Sequence, residues 1–206
     1  MFGIGKTIKV LGMAALALVS VAATASAASE TVAYAVTGAE TSIPYGWVAF
    51  CERYQDECAD EETAAQDIDL TADALRAITR INLSVNKAIA PVSDNDQWGV
   101  VDQWDYPTAG KGDCEDYALL KRRMLMEAGF PREALLLTVV KDKNGEGHSI
   151  LTIKTNRGDY VLDNLSNEIK LWAAAPYRFV KRQSQQNPNV WVAIGEPTAA
   201  PFYVSK

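Results

Sequence analysis

Histidine, cysteine and basic residues are scarce in this sequence of 206 residues. It has one His, three Cys, and 20 Lys and Arg against 26 Asp and Glu. With so few His and Cys side chains, a zinc shell is disfavoured. The net charge of −6 argues against nucleic acid as a partner, because phosphates are bound by Lys and Arg. The acidic balance is compatible with binding a cation.

A long apolar run is also lacking. The run over 10–23 falls short of the ~20 residues that a membrane span needs. It follows two lysines and precedes Ala25-Ser26-Ala27, which fits an A-x-A cleavage site. We therefore predict a signal peptide over 1–27, cleaved after Ala27, and an exported mature chain 28–206 without membrane insertion. Cleavage removes two lysines and no acids, so the net charge becomes −8. A membrane anchor is the alternative, which the short run disfavours.

The three cysteines divide into a pair and a single residue. Cys51 and Cys58 are separated by six residues in CERYQDEC. In an exported protein this pair is the natural disulfide, and closing so short a loop contributes roughly 2–3 kcal/mol. A metal site is the alternative for the pair, and the shortage of further ligands disfavours it. Cys114 is then the odd thiol, which an oxidising compartment tolerates when it is used, dimerised or buried.

The first half of the mature chain is predicted to contain one helix between two irregular stretches. Residues 28–66 show no sustained period, so we expect an irregular segment held by the disulfide. Apolar residues then recur at helical spacing, and Asp69 or Thr71 can cap a helix that Pro91 ends. Residues 91–112 are rich in Asp, Gly, Pro and Trp. A loop of this length without elements of its own is more often functional than idle.

A second helix is predicted to start at the odd cysteine. Asp113 is a good N-cap, and Cys114 is then the first helical residue. Asp116 lies three residues after Asp113, as in a capping box. Gly129-Phe130-Pro131 ends the helix.

The rest of the chain is predicted to form strands. The segments are 134–142, 148–155, 160–165, 177–183 and 190–195. Short Gly-containing turns join the first three, which indicates an antiparallel meander. Helices followed by strands indicate an α+β fold, with the helices packed on one face of an antiparallel sheet.

The single histidine opens the second strand of this meander. His148 and Asp163, on the next strand, share one face of the sheet if the turn between their strands centres near 156–158. A slip of one residue would place them on opposite faces. Asp159 is the competing acid, but its place in the turn predicts a solvated side chain.

Cys114, His148 and Asp163 together have the groups that acyl transfer requires. A helix N-terminus favours a thiolate and offers backbone N–H groups to an oxyanion. A histidine can pair with the thiolate and act as general base or acid, and an aspartate can hold the imidazole tautomer. Trp104, in the preceding loop, is a candidate to wall the site and donate its indole N–H.

The acids around Cys114 oppose this interpretation. Nearby negative charge disfavours the thiolate, and Asp113, Glu115 and Asp116 flank the sulfur-bearing residue. A buried Cys is more often a small hydrophobe than a nucleophile, and the acids could merely cap a helix. Either the thiol is inert or something neutralises the acids.

Three motifs resemble a known family. W-D-Y-P…G-K-G-D-C-E-D-Y-A, G-H-S-I-L and Y-V-L-D-N-L are similar to those of the bacterial transglutaminase-like cysteine proteinases, which include the periplasmic LapG-type proteases. The resemblance covers most of 28–206 and implies one transglutaminase-like cysteine peptidase domain. Its papain-like, transglutaminase-core fold packs a Cys-bearing helix on the sheet. By position, Cys114 matches the nucleophile, His148 the base and Asp163 the third member of the triad.

The same resemblance implies a calcium site. In LapG-type members, calcium lies beside the nucleophile and is held by the acids that flank it. Asp113 and Glu115 match these positions and Asp116 is similar to a further ligand, whereas Asp102 and Asp105 are weaker candidates. A hard dication with oxygen ligands would offset the negative charge around the thiol.

The resemblance also implies a function. It suggests a periplasmic cysteine endopeptidase that cleaves a surface or periplasmic protein, such as a large biofilm adhesin, in a calcium-dependent way. LapG-type enzymes are sequestered by an inner-membrane receptor that senses a cyclic dinucleotide, so such a receptor is an expected partner. Two alternatives stay open. One is a transglutaminase or amidase acting on peptide amides, which needs the same residues. The other is a non-enzymatic exported module that binds calcium.

Overall fold

The computed structural model describes residues 1–3, 33–60 and 62–195. Most of the predicted signal peptide therefore lies outside the described residues. The chain divides into two compact units, Met1–Glu30 and Thr31–Lys206, and all the described helices and strands belong to the second. Within these described ranges, no helix has the length and apolar character that crossing a bilayer requires.

The described residues form a mixed fold of helices and strands. The α-helices are α1 (Tyr45–Arg53), α2 (Ala72–Ala88), α3 (Asp94–Trp98) and α4 (Cys114–Glu127). The strands are β1 (Thr37–Thr41), β2 (Ala90–Pro91), β3 (Lys111–Gly112), β4 (Leu135–Lys141), β5 (Gly147–Thr155), β6 (Gly158–Leu162), β7 (Lys170–Leu171), β8 (Arg178–Gln183) and β9 (Trp191–Ile194). One antiparallel sheet has the order β1-β9-β8-β4-β5-β6-β7, and β2 pairs with β3 in parallel.

The α+β prediction is confirmed, and the sheet is larger than predicted. The five predicted strands correspond to β4, β5, β6, β8 and β9, and the first three form the expected meander. The prediction that 28–66 is irregular is wrong, because this segment contains the edge strand β1 and the helix α1. Four of the five residues of β1 are exposed, so the strand lacks the apolar alternation that identifies strands in a sequence.

Helix α4 packs against the centre of this sheet, and α2 packs against α4. Thr71 caps α2 as predicted, since its hydroxyl accepts a hydrogen bond from the N–H of Ala74 at 3.1 Å. Helix α4 contacts α2, β4 and β5. The prediction that the loop 91–112 contains no secondary structure is wrong, because it contains the short helix α3 and the strand β3.

Cys51 and Cys58 form a disulfide, as predicted. The bond joins α1 to the short 3₁₀ turn Gln55–Cys58 that follows it. Trp47 and Phe50 of α1 are buried and stack with their ring centroids 5.3 Å apart. Helix α1 is therefore held in place by two buried aromatic side chains and by the disulfide to the following 3₁₀ turn.

Asp159 is buried, and its predicted solvation is wrong. Its carboxylate pairs with Lys154 Nζ and with Arg182 Nη1, each at 2.7 Å. The backbone N–H of Ala35 donates to Asp159 Oδ2 at 3.1 Å, and Asp159 N–H donates to the carbonyl of Ala33 at 2.8 Å. The segment that contains Ala33 and Ala35 therefore covers the turn and excludes water from the acid.

Replacing this buried acid should destabilise the protein strongly. Asp159→Ala leaves the Lys154 and Arg182 charges without their counter-ion, so we expect the free energy of unfolding to fall by about 3–5 kcal/mol. Chemical denaturation measures this change. Glu127→Ala is the matched control, because it breaks an exposed pair with Arg123 and should cost less than about 1 kcal/mol. Equal, small effects of the two substitutions would contradict the buried ion pairs.

Candidate active site

Cys114 is held at the junction between α4 and the sheet. It is the first residue of α4 and is 1% exposed. The backbone N–H of Ser149, on β5, donates to Cys114 Sγ at 3.3 Å. This donor and the positive end of the helix dipole both favour a thiolate. Glu115 opposes it, because Oε2 of its carboxyl group lies 3.1 Å from the same sulfur.

The strand register brings the histidine to the aspartate. Leu151 of β5 lies opposite Leu162 of β6, so Asp163, the next residue, points to the face that carries His148. His148 Nε2 and Asp163 Oδ1 are 3.0 Å apart, and both side chains are buried. The backbone N–H of Leu165 also donates to Asp163 Oδ1 at 3.0 Å.

The environment of His148 favours its protonated form. Burial alone would lower the pKa of His148, but its hydrogen bond with Asp163 and its electrostatic interaction with Cys114 and Asp163 raise it to about 9. Burial likewise opposes the ionised form of Asp163, yet the hydrogen bond and charge of His148 hold the pKa of this carboxyl below its usual value. An imidazolium–carboxylate pair is therefore the favoured state of His148 and Asp163 at neutral pH.

Carboxylates from two elements and the loop between them converge at the start of α4. Asp94 begins α3, Asp102 lies in the loop, and Asp113, Glu115 and Asp116 belong to the start of α4. Two groups of carboxylate oxygens are close enough to share a metal ion, with all distances within each group at or below 4.8 Å. The first group comes from Asp94, Asp102 and Glu115. The second comes from Asp94, Asp113 and Asp116. We call these five residues the acid cluster.

Contrary to the prediction, the acids at the start of α4 do not cap this helix. Asp113 occupies the N-cap position, but its side chain makes no capping hydrogen bond. Its Oδ2 instead accepts the backbone N–H of Asp94 at 3.1 Å, and Asp116 Oδ1 accepts the N–H of Asp105 at 2.8 Å. Both carboxylates therefore bind the preceding loop to α4, and the predicted capping box is absent at this helix.

Asp105 lies outside the two groups of close carboxylate oxygens. Its carboxylate accepts hydrogen bonds from the Tyr54 hydroxyl and from the Tyr106 N–H. It also pairs with Arg53, with 3.7 Å between Arg53 Nε and Asp105 Oδ2. The Asp105 carboxylate is therefore hydrogen-bonded and ion-paired by groups outside the two sets of close carboxylate oxygens.

Trp104 is buried beside the acid cluster. Its indole N–H donates to Asp102 Oδ1 at 2.9 Å, so the predicted donation to an oxyanion is not seen. An indole has a single N–H, and the nearby Asp102 occupies it. The ring packs edge-on against Trp47 and Trp191, with centroids 6.3 and 6.2 Å away. Trp104 therefore orients Asp102 and fixes the loop in the aromatic core.

Burial and mutual repulsion disfavour ionisation of the acid cluster. Burial raises the pKa of Asp113 to about 6 and that of Asp116 to about 8, and it raises the pKa of Glu115 well above its usual value. Among the described residues, Asp113 Oδ1 and Glu115 Oε1 are buried without a hydrogen-bond partner. Calcium takes carboxylate and other oxygen ligands, so this set of side chains fits a bound calcium ion.

Some residues of this site were missed from the sequence. Asp94 belongs to both groups of carboxylate oxygens, and the acid-rich stretch S-D-N-D in the loop was the available signal. The N–H of Ser149 and the hydroxyl of Tyr177, which donates to Asp163 Oδ2 at 2.6 Å, gave no signal. Their roles depend on how the strands and loops pack.

Comparisons with known proteins agree with this fold. The sequence profile of the bacterial transglutaminase-like cysteine proteinases (BTLCP) matches residues 37–199. The fold is similar to calcium-bound LapG of Legionella pneumophila, with a TM-score of 0.51 and 21% identity over 65% of this chain and 77% of that chain. EGTA-treated LapG of the same organism gives a TM-score of 0.50 and 22% identity over 59% of this chain and 71% of that chain.

A comparison with curated protein sequences finds no match. The profile match extends over most of the chain, from β1 to beyond β9. The mixed helix and antiparallel sheet architecture is that of the solved LapG structures. This chain belongs to the bacterial transglutaminase-like cysteine proteinases, and it is a cysteine peptidase with a transglutaminase-like fold.

Proposed function

We propose that this protein is a periplasmic cysteine endopeptidase with a Cys114–His148–Asp163 triad. The observation that carries the proposal is the 3.0 Å contact between His148 Nε2 and Asp163 Oδ1. The residue that follows His148 on β5, Ser149, donates its N–H to Cys114 Sγ at 3.3 Å. Cys114 lies at the N-terminus of α4, where the helix dipole stabilises an anion. Nucleophile, base and orienting acid are the groups that acyl transfer needs.

The chemistry follows from these positions. The Cys114 thiolate attacks the peptide carbonyl carbon, and the carbonyl π electrons move to the oxygen, which backbone N–H groups at the start of α4 can stabilise. As the C–N bond breaks, His148 gives its proton to the leaving amine through Nδ1, the nitrogen that Asp163 does not hold. Water, deprotonated by His148, then hydrolyses the thioester and restores the thiolate.

A peptide needs access to the sulfur before this chemistry begins. Cys114 is 1% exposed, so neighbouring side chains have to move when a substrate binds. An endopeptidase cleaves a bond far from the ends of its substrate. We therefore propose that the site binds an extended internal segment of the substrate polypeptide. The proposal therefore includes local opening of the site as part of substrate binding.

We propose that the acid cluster holds calcium. The ligands would be Asp94, Asp102, Asp113, Glu115 and Asp116, whose carboxylate oxygens lie close together. The raised pKa values of Asp113 and Asp116 also support a cation at this position. Bound calcium supplies positive charge that offsets the carboxylates. Glu115 matters most for catalysis, because its carboxyl group lies against the Cys114 sulfur. With its charge balanced, it opposes the thiolate less.

The substrate is proposed to be a protein at the cell surface or in the periplasm, such as a large biofilm adhesin. Membership of a proteinase family supports a protein substrate, and the similarity to LapG supports the adhesin class. The disulfide between Cys51 and Cys58 supports export to an oxidising compartment, with cleavage of the signal peptide after Ala27. An inner-membrane receptor that sequesters the enzyme is part of the same proposal.

Cys114→Ala is the direct test of the nucleophile. We expect cleavage of a protein substrate to be abolished, while the free energy of unfolding changes by no more than about 1–2 kcal/mol. Gel-based cleavage assays and denaturation curves measure the two quantities. Cleavage by the variant at the wild-type rate would remove Cys114 from the mechanism.

Calcium should control both stability and activity. At calcium about 100-fold above its Kd, binding should stabilise the fold by about 2.7 kcal/mol, seen as a higher Tm, and a chelator should abolish cleavage. Asp94→Asn should reduce both effects. Asp105→Asn is the matched control, since this nearby acid lies outside the acid cluster and should preserve the calcium response. Full activity after exhaustive chelation would contradict the proposal.

The ionisation of His148 can be observed without a substrate. It is the one histidine of the chain, so ¹⁵N-histidine labelling of untagged protein gives a single imidazole. We expect its titration midpoint at about 9, and a midpoint lower by roughly one unit or more in Asp163→Asn, because burial then prevails. The corresponding stability is present below about pH 6.5 and is lost as pH rises through about 9. A wild-type midpoint at or below about 6.5 would contradict the imidazolium pair.

A further inference from the structure

Tyr177 contacts both residues that would support Cys114. It directly precedes β8, and its hydroxyl donates to Asp163 Oδ2 at 2.6 Å. Its ring centroid lies 5.3 Å from that of His148, with the two rings tilted by 46°. Because β4 and β5 separate β8 from β6 in the sheet, Tyr177 reaches this position only through the tertiary fold.

The hydroxyl of Tyr177 completes the hydrogen bonding of the carboxylate. Asp163 Oδ1 is shared by His148 Nε2 and the N–H of Leu165, and Oδ2 is held by Tyr177. The side-chain amide of Asn86, on α2, donates to the Asp163 carbonyl at 2.9 Å. The backbone and both carboxylate oxygens are therefore fixed, and rotation of the carboxylate away from the imidazole would break the Tyr177 bond.

Tyr177 remains a donor at neutral pH. Burial and the hydrogen bond to Asp163 raise the pKa of its hydroxyl well above the usual value, and the charges of Asp163 and Asp142 act in the same direction. A neutral phenol that donates to a carboxylate stabilises the ionised acid. The ring, lying against the imidazole, also restricts where His148 can move.

We propose that Tyr177 is a positioning residue of the peptidase reaction: its hydroxyl orients Asp163 and its ring confines His148. This inference rests on the proposed triad. The hydroxyl does not touch the sulfur or the scissile bond, so it acts through the imidazole that transfers the proton. A small change in imidazole orientation is sufficient to slow proton transfer strongly.

The chain offers a matched control for this hydrogen bond. The Tyr106 hydroxyl donates to Glu57 Oε1, also at 2.6 Å, in a pair that involves no member of the triad. Tyr177→Phe and Tyr106→Phe each remove one hydrogen bond between a phenol and a carboxylate and keep the aromatic ring. A role in stability alone predicts similar consequences for the two variants, whereas a positioning role predicts a catalytic effect of Tyr177→Phe only.

The experiment compares kinetics with the imidazole spectrum. For Tyr177→Phe, we expect kcat to fall roughly 10- to 100-fold, the effect of losing one hydrogen bond to a charged group. KM should stay within about twofold, because the hydroxyl acts on proton transfer rather than on ground-state binding. In ¹⁵N-histidine-labelled protein, the proton on His148 Nε2 should exchange faster with water than in the wild type. Tyr106→Phe should match the wild type in kcat and in the His148 spectrum.

Three results would overturn the inference. Wild-type kcat in folded Tyr177→Phe would do so, and so would a loss of kcat with an unchanged His148 spectrum, because Tyr177 would then act by another route. An equal loss of kcat in both variants would indicate a general effect of stability. The spectrum is read without substrate, so the inference about Tyr177 can fail while Cys114→Ala still shows that the peptidase chemistry is correct.

Discussion

The hydrogen bond between His148 and Asp163 depends on the register of two neighbouring strands. Leu151 lies opposite Leu162, and a shift of one residue would turn Asp163 to the other face of the sheet. The same register buries apolar residues of β5 and β6, so hydrophobic burial and the site geometry reinforce each other. Core packing therefore sets the position of the imidazole. Helix α4, packed on β5, brings the sulfur to the N–H of Ser149, the residue that follows His148 on this strand.

The cost of this arrangement is concentrated in the acid cluster. Burial raises the pKa values of Asp113, Glu115 and Asp116, and repulsion among the neighbouring carboxylates adds to this effect. The same negative charge disfavours a thiolate at Cys114. A helix N-terminus and one N–H donor offset only part of that repulsion around Cys114. In the proposed function, calcium has two roles. It supplies positive charge near Cys114, and it links the loop to α4.

Much of the fold was predictable because strong local patterns specify it. The five predicted strands, the Thr71 cap and the cysteine pair all appear in the structure as expected. The sequence motifs also gave Cys114, His148 and Asp163 as candidates for a triad, and the structure brings His148 to Asp163 and Ser149 N–H to the sulfur. Side chains that share a motif or a short hairpin have few ways to be arranged.

The remaining features depend on distant parts of the chain. Asp159 looked solvated because its turn is polar, but the segment around Ala35 covers it. The capping role expected of Asp113 failed because the N–H of Asp94 competes for its carboxylate. Tyr177 reaches Asp163 from the start of β8. In each case the side chain bonds to a residue that is distant in sequence, and the local sequence pattern carries no information about that residue.

The central claim is that the sole imidazole activates the sulfur of Cys114. A thiol-reactive peptide electrophile, followed by mass spectrometry, tests this most directly in calcium-loaded wild-type protein and in His148→Ala. The account predicts rapid modification of Cys114 that slows by roughly 10²- to 10⁴-fold in His148→Ala, the usual contribution of a positioned acid or base. Modification at the rate of an ordinary thiol, equal in both proteins, would contradict it.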